Sequence, residues 1–274
     1  MLIKLATNCG FCFGVKRAIR LAENNPNSVT LGELIHNGKE TDRLKNHFAV
    51  SIARNIDEIE SGKRVIIRTH GVEKEVKERL VEITNDVIDA TCPFVTKPQR
   101  IAEQMNQEGY QVVIFGDKTH PEVKGVLSYA GKDAIVAANA DELCRSRLKD
   151  RVALISQTTK SIERFAPLAE ELIKRCKEAR IYNTICNATF DNQEAARALA
   201  KEADVMLIVG GKNSSNTKQL LSIVKEDCPD SYLVEGKDEL NRAWFEGKKL
   251  CGISAGASTP YWIIEEVKNS LLEF

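Results

Sequence analysis

The stretch VIDATCPFVTKPQRIA, residues 87–102, decides the fold. Val87–Thr91 is a short β-branched run that reads as a strand, Cys92 follows at once, and Gln99-Arg100-Ile101-Ala102 lies in a helical segment beyond it. The same succession occurs twice more. Leu2–Thr7 precedes Cys9 and Cys12, then Arg17-Ala18-Ile19-Arg20-Leu21-Ala22; Ile181–Ile185 precedes Cys186, then Ala195-Ala196-Arg197-Ala198-Leu199-Ala200. Cys12 and Cys92 are 80 residues apart, and Cys92 and Cys186 are 94 apart. The chain thus reads as three similar α/β units of about ninety residues, with domains expected at 13–92, 93–182 and 183–274. Each unit places a cysteine at the carboxyl end of a strand, where open parallel sheets bind ligands.

Strand candidates along the rest of the chain are Val29–Ile35, Arg64–Thr69, Asp86–Ala90, Gln111–Phe115, Arg151–Ile155, Arg180–Ile185, Asp204–Val209 and Lys249–Ser254. Amphipathic segments lie between them: Val15, Ala18, Ile19 and Ala22 form one apolar face, and Ile162, Phe165, Ala169 and Leu172 another. Pro121 and Pro260 stand where a first helical residue is expected, and Gly109 and Gly131 where a helix should stop. The fold class is α/β with mostly parallel sheets.

Composition narrows the function. The 274 residues carry 39 Lys+Arg against 39 Asp+Glu, so the basic excess needed for non-specific nucleic-acid binding is missing. Apolar stretches such as Val205–Val209 are far too short to span a bilayer, and Met1-Leu2-Ile3-Lys4 has no export-signal character. A soluble, cytoplasmic protein is expected, in which eight cysteines serve metal ligation or catalysis better than disulfides. Cys144, Cys176 and Cys228 lie in helical or turn contexts and Cys251 in an apolar strand, which reads as structural.

The residues after each strand form a biased inventory: His36-Asn37, His70-Gly71, Thr119-His120-Pro121-Glu122, Gln157-Thr158-Thr159, Asn213-Ser214-Ser215-Asn216 and Ala255-Gly256-Ala257-Ser258. Three of the four histidines sit at such tips, and His47 does not. Free N–H groups at helix N-termini, joined by imidazoles, hydroxyls and amides, make a phosphate or diphosphate pocket without an Arg/Lys cluster. Ordinary helix capping is the alternative for any single tip. Neither a P-loop nor a G-x-G-x-x-G is present. Three thiolates from three units suit zinc with an open fourth position, or three irons of a [4Fe–4S] cluster whose fourth stays open. Cys9, in Cys9-Gly10-Phe11-Cys12, is a second ligand, a redox partner or a bystander. Glu122 either favours its helix dipole or, buried beside a cluster, holds a proton near neutral pH.

Nine ordered motifs sharpen this. They are Gly10-Phe11-Cys12-Phe13-Gly14-Val15, Ile35-His36-Asn37, Thr69-His70-Gly71-Val72, Asp89-Ala90-Thr91-Cys92-Pro93, His120-Pro121-Glu122-Val123-Lys124-Gly125, Ser156-Gln157-Thr158-Thr159, Ile185-Cys186-Asn187-Ala188-Thr189, Asn213-Ser214-Ser215-Asn216 and Ala255-Gly256-Ala257-Ser258. Together they resemble the 4-hydroxy-3-methylbut-2-enyl diphosphate reductase family of the methylerythritol phosphate route to isoprenoids, over about residues 8–262.

The resemblance implies three α/β domains in pseudo-threefold arrangement around one central [4Fe–4S] cluster, with strand 1–12 completing the third domain. Cys12, Cys92 and Cys186 would ligate the cluster and leave one iron unbound by protein. His36, His70 and His120, with Ser214, Ser215, Asn216 and Ser258, would hold the substrate diphosphate. Glu122 and Thr158 would face the substrate hydroxyl and the unique iron, making Glu122, Thr158 and His120 the catalytic set. The implied reaction is a two-electron, two-proton reductive dehydroxylation to isopentenyl and dimethylallyl diphosphates. Its implied electron donor is a ferredoxin or flavodoxin, since the sequence has no nicotinamide or flavin motif; a monomer or weak dimer is expected, with no nucleic-acid or membrane partner. Three departures from the family pattern stand out: Cys9 where many members have proline, Phe13 for a commoner alanine, and Thr189-Phe190-Asp191-Asn192-Gln193 for a Thr-rich form. Cys9 is expected not to be a ligand. A three-cysteine [4Fe–4S] lyase of the dehydratase or quinolinate synthase type is the rival; it would process carboxylates, and the His/Ser/Asn tips suit a diphosphate better.

Overall fold

Where the chain offers uninterrupted apolar runs it forms buried parallel strands, and where it alternates it forms the helices that cover them. The structure, a computed structural model, describes residues 1–273. The chain opens with β1 (Leu2–Leu5) and α1 (Phe13–Glu23), followed by β2 (Val29–Leu31), α2 (Gly38–Phe48), β3 (Ser51–Ala53), β4 (Val65–Ile67), α3 (Lys74–Ile83) and β5 (Val87–Asp89). Next come α4 (Pro93–Gln107), β6 (Gln111–Phe115), α5 (Pro121–Leu127), β7 (Ile135–Ala137), α6 (Ala140–Cys144), β8 (Arg151–Ser156), α7 (Ile162–Arg175) and β9 (Glu178–Tyr182). The last third holds α8 (Asn187–Ala200), β10 (Val205–Val209), α9 (Ser215–Asp227), β11 (Ser231–Val234), β12 (Leu250–Ala255) and α10 (Tyr261–Leu272).

These strands form three parallel sheets of four strands each, ordered β3-β2-β4-β5, β7-β6-β8-β9 and β11-β10-β12-β1. All three share one topology, in which the first strand lies between the second and the third, and the fourth lies outside the third. In the last sheet the fourth place is taken by β1, paired with β12 from Leu2↔Leu250 to Leu5↔Ile253. Three α/β units built on parallel sheets were expected, and three are found.

Strands covered on both faces are apolar throughout, and β6 and β10 are buried along their full length. Alternate residues of β6 and β8 go to opposite cores. Val112, Ile114, Ala153 and Ile155 pack with Ala102, Met105, Val123 and Val126, whereas Val113, Phe115, Val152 and Leu154 pack with Phe165, Leu168 and Leu172. In the last sheet Val205, Leu207 and Ile253 meet Ile263, Ile264 and Val267 of α10. Met206 and Ile208 on its other face meet Ala196, Leu199, Leu220 and Val224. Each such aliphatic side chain contributes roughly 1.5–3 kcal/mol on full burial.

The sequence reading overran some strands and passed over others. Val29–Ile35 stops being a strand at Leu31 because Gly32 turns the backbone to φ +75°. The edge strands β3, β7 and β11 are three or four residues long and show no period of their own. Pro121 opens α5 as expected, but Pro260 is the residue before α10 rather than its first.

By packing, the chain separates into two compact units. One comprises Met1–Lys16, Ile35–Arg43 and Asn187 onward; the other comprises Arg17–Leu34 and Leu44–Cys186. The first contains the sheet β11-β10-β12-β1 and the second contains the other two sheets. Among the described residues, no helix is long and apolar enough to cross a membrane.

Candidate active site

The shared topology puts chemically similar residues at matching positions. His36, His120 and Ser214 each stand five residues beyond the first strand of their sheet, after Leu31, Phe115 and Val209. Thr69, Thr158 and Ala257 each stand two residues beyond the third strand, after Ile67, Ser156 and Ala255. The cysteines follow the fourth strands: Cys92 after β5, Cys186 after β9 and Cys12 after β1. Each cysteine N–H donates to the carbonyl of the matching third-strand tip, Cys12 to Ala257 at 3.2 Å, Cys92 to Thr69 at 3.0 Å and Cys186 to Thr158 at 3.1 Å. First and third strands are neighbours from which the crossovers leave in opposite directions, the switch point at which open α/β sheets bind ligands.

None of the three is in a disulfide, all are partly exposed, and each stands at the start of a helix, where negative charge is favoured. Cys92 caps α4 directly, its carbonyl accepting from Val95 N–H at 2.8 Å and Thr96 N–H at 3.0 Å. Arg17 of α1 supports that turn by donating to the Asp89 carbonyl at 3.1 Å and the Thr91 carbonyl at 3.3 Å. Cys9 differs from the three: it packs against two hydrophobic cores, and burial pushes its thiol pKa up. Cys251, wholly buried in β12, is pushed up to about 12 by burial and then by the nearby Cys228.

In the larger unit, His120 caps α5, its Nδ1 accepting the Glu122 N–H at 3.2 Å. In the neutral ring an accepting Nδ1 leaves the proton on Nε2. The His70 ring stands edge-on to His120, with centroids 5.4 Å apart. Glu122 is 1% exposed; its Oε1 accepts the Thr158 N–H at 2.6 Å and its Oε2 accepts the Thr158 hydroxyl at 2.8 Å. Burial raises its pKa to about 7 against the opposing pull of both Thr158 hydrogen bonds and of Lys160. Lys160 itself is pushed below its ordinary value by burial. Neither Lys160 nor Arg17 was singled out in the sequence, and only their positions beside Thr159 and the Cys12 motif hinted at them.

In the other unit, the Ser258 hydroxyl donates to the His36 carbonyl at 3.2 Å. A Cβ on Gly211 would lie 2.4 Å from that same carbonyl, so only glycine lets the β10–α9 loop approach the His36 loop. Asn37 holds the α2 start by accepting the Glu40 N–H at 3.1 Å, and Ser214 caps α9 by accepting from Thr217 at 3.3 Å. Asn216, 4% exposed, has neither its Oδ1 nor its Nδ2 paired among the described residues. A buried amide left unpaired costs roughly 1–3 kcal/mol, an arrangement expected of a ligand site rather than of packing. Ser215, half-buried, opens α9 beside it.

Known proteins resemble this chain over nearly its whole length. The family model described as LytB protein matches residues 3–272. A relative from Nitratiruptor sp. is 60% identical over 271 residues, covering 99% of this chain and 98% of its own, and one from Wolinella succinogenes is 58% identical with the same coverage. Both are named 4-hydroxy-3-methylbut-2-enyl diphosphate reductase. A solved structure described as (E)-4-hydroxy-3-methyl-but-2-enyl diphosphate reductase, the terminal enzyme of the non-mevalonate pathway, is 44% identical with a TM-score of 0.72 and full coverage of both chains. The E-1-hydroxy-2-methyl-but-2-enyl-4-diphosphate reductase of Plasmodium falciparum shares the fold at 23% identity, with a TM-score of 0.91 over 98% of this chain and 87% of that one. With its three like-ordered sheets and a family match over nearly its whole length, the chain belongs to the LytB protein family.

Proposed function

We propose that this chain reduces 4-hydroxy-3-methylbut-2-enyl diphosphate to isopentenyl and dimethylallyl diphosphates, consuming two electrons and two protons and releasing water. The names of its relatives support the substrate. The observation that carries the chemistry is Glu122, a fully buried carboxyl whose pKa of about 7 lets it hold a proton at neutral pH.

Cys12, Cys92 and Cys186 are the ligands proposed for a [4Fe–4S] cluster. Three cysteines outside disulfides, at matching turns, form a soft donor set that suits iron and leaves one iron open, whereas the core-packed Cys9 and Cys251 do not join it. When bound, the cluster supplies single electrons and a Lewis-acidic iron for the substrate hydroxyl. Each sheet with its helices would form one domain, 13–92, 93–182 and 183–274, the last with 1–12.

His36, His70, His120, Ser214, Ser215, Asn216 and Ser258 hold the diphosphate. His120 offers its Nε2–H, and Asn216 gains partners for the amide that is otherwise orphaned. Glu122 delivers its proton toward the substrate hydroxyl so that oxygen leaves as water. Thr158 keeps the carboxyl aimed: its N–H holds Oε1, and its hydroxyl donates to Oε2 of the ionised group. The second proton reaches either end of the allylic carbon skeleton, giving the two products. Electrons come from a ferredoxin or flavodoxin in the cytoplasm, and the enzyme acts as a monomer or weak dimer.

The test is anaerobic: confirm a [4Fe–4S] cluster by spectroscopy, then follow oxidation of reduced methyl viologen on adding the substrate. Substrate-dependent oxidation is expected. None from a protein with a verified cluster would refute the reductase and favour the lyase.

A further inference from the structure

We infer that Gln157 is a positioning residue for proton delivery, setting the turn that carries His120 and Glu122; the inference rests on the proposed reductase activity. Gln157 lies one residue beyond β8 and is 1% exposed. Its Oε1 accepts the Asp117 N–H at 3.1 Å, and its Nε2 donates to the Thr159 hydroxyl at 3.1 Å. Only the amide oxygen can accept from an N–H, so the side chain has one orientation.

The bond to Asp117 closes a ring inside one compact unit. The Asp117 carbonyl accepts the His120 N–H at 3.0 Å, and His120 Nδ1 accepts the Glu122 N–H at 3.2 Å. Glu122 in turn accepts both bonds from Thr158, the residue after Gln157. Asp117 also stiffens the turn from within, its Oδ1 accepting the Thr119 N–H at 2.8 Å and the Thr119 hydroxyl at 2.7 Å. A Cβ on Gly116 would lie 2.7 Å from Val123 Cγ2 and 3.1 Å from Gln157 Oε1, so only glycine lets the turn come this close.

Sheet pairing does not account for the side chain. The backbone already joins β6 to β8 there, the Gln157 N–H donating to the Phe115 carbonyl at 2.8 Å. Asp117, Lys118 and Thr119 are exposed and add nothing to the core, so the amide holds a segment whose burial is not at stake. In the sheet β3-β2-β4-β5 the matching place belongs to Arg68, and a Cβ on Gly32 would collide with its guanidinium. Both sheets thus set a long polar side chain, one residue beyond the third strand, over the glycine that follows the first.

The ring keeps the Glu122 carboxyl from water. Burial is the largest influence on its pKa and outweighs the Thr158 bonds and Lys160. A turn released from Gln157 admits water, so the pKa falls from about 7 toward the ordinary 4.5 and the acid is ionised at neutral pH. The charged and titratable groups around it, His120 and Lys160 with Asp117 and Arg164, stay the same in the variants below.

The test compares Gln157→Met, which has neither hydrogen-bonding group, with Gln157→Glu, which keeps an oxygen for Asp117. Both are assayed as cluster-loaded enzyme with reduced methyl viologen. The Asp117 N–H freed in Gln157→Met turns to water, since that residue is exposed, and the variant should fold with the parent's iron content. Its kcat at neutral pH should fall by about 10²-fold, and its alkaline limb should move down by about one pH unit or more. Gln157→Glu should recover most of the turnover and keep the limb at or above its parental position, because the added carboxylate opposes ionisation of Glu122. Urea melts at pH 5 and pH 8 give a readout without turnover: the parent loses stability as Glu122 ionises, and Gln157→Met should lose less. A limb that stays near 7 in Gln157→Met, or a Gln157→Glu enzyme as impaired as Gln157→Met, would overturn the role. A parent enzyme that no donor drives would instead refute the reductase reading, and the melts would still decide whether Gln157 governs Glu122.

Discussion

Replacing Thr158 by valine keeps the side chain's volume and the backbone N–H that holds Glu122 Oε1 at 2.6 Å, but removes the hydroxyl bound to Oε2 at 2.8 Å. A hydrogen bond to a charged group is worth about 1.5–3 kcal/mol. Its loss falls on the ionised form of Glu122 alone, so the pKa rises. At ~1.4 kcal/mol per pH unit, the rise is roughly 1–2 units, from about 7 to about 8–9. Glu122 works as an acid, so turnover is present below its pKa and lost above it. The assay is kcat/KM against pH with reduced methyl viologen as donor, for the parent, Thr158→Val and Glu122→Gln. The alkaline fall should lie near 7 in the parent, move up by about 1–2 units in Thr158→Val on a lower plateau, and disappear in Glu122→Gln, with turnover lower by roughly 10²–10⁴-fold. A fall that stays near 7 in Thr158→Val, or survives in Glu122→Gln, would refute the pairing as the source of the proton.

Further outcomes follow from burial and ligation. Because Glu122's folded pKa of about 7 lies above its ordinary 4.5, its ionisation removes stability as pH rises across that interval, by about 3 kcal/mol in all. Glu122→Gln should therefore be more stable than the parent at pH 8 and close to it at pH 5, as urea melts at the two pH values will report. Cys9→Ser should retain a full complement of iron and sulfide, while Cys12→Ser, Cys92→Ser or Cys186→Ser loses it; iron analysis after anaerobic reconstitution separates the two groups. Asn216→Leu removes a buried amide with no partner among the described residues, so the unliganded chain should melt no earlier than the parent. Its affinity for inorganic pyrophosphate, measured by calorimetry, should nevertheless fall.

What the sequence made legible was whatever is carried by contiguous residues. Val205–Val209 and Gln111–Phe115 read as strands because four or five apolar residues in a row have no better use, and the strand–Cys–helix succession is local. Three of the six edge strands escaped because Ser51–Ala53, Ile135–Ala137 and Ser231–Val234 are held by their neighbours rather than by a pattern of their own. The bond from Cys186 N–H to the Thr158 carbonyl, and its two counterparts, joins residues far apart in the chain and left no trace in spacing. Glu122 could be suspected from its place after His120, but its pKa depends on a threonine 36 residues away and on complete burial. Asn216 was visible as a motif member, while its lack of partners appears only once the helices pack.

The most direct test of the central claim is a stoichiometry. With cluster-loaded enzyme under anaerobic conditions, the reduced viologen consumed is measured against the five-carbon diphosphates formed from 4-hydroxy-3-methylbut-2-enyl diphosphate. The account requires two viologens oxidised per product molecule, with both isopentenyl and dimethylallyl diphosphates present. Substrate lost without viologen oxidation, as a lyase would give, or viologen oxidised without either product, would contradict it.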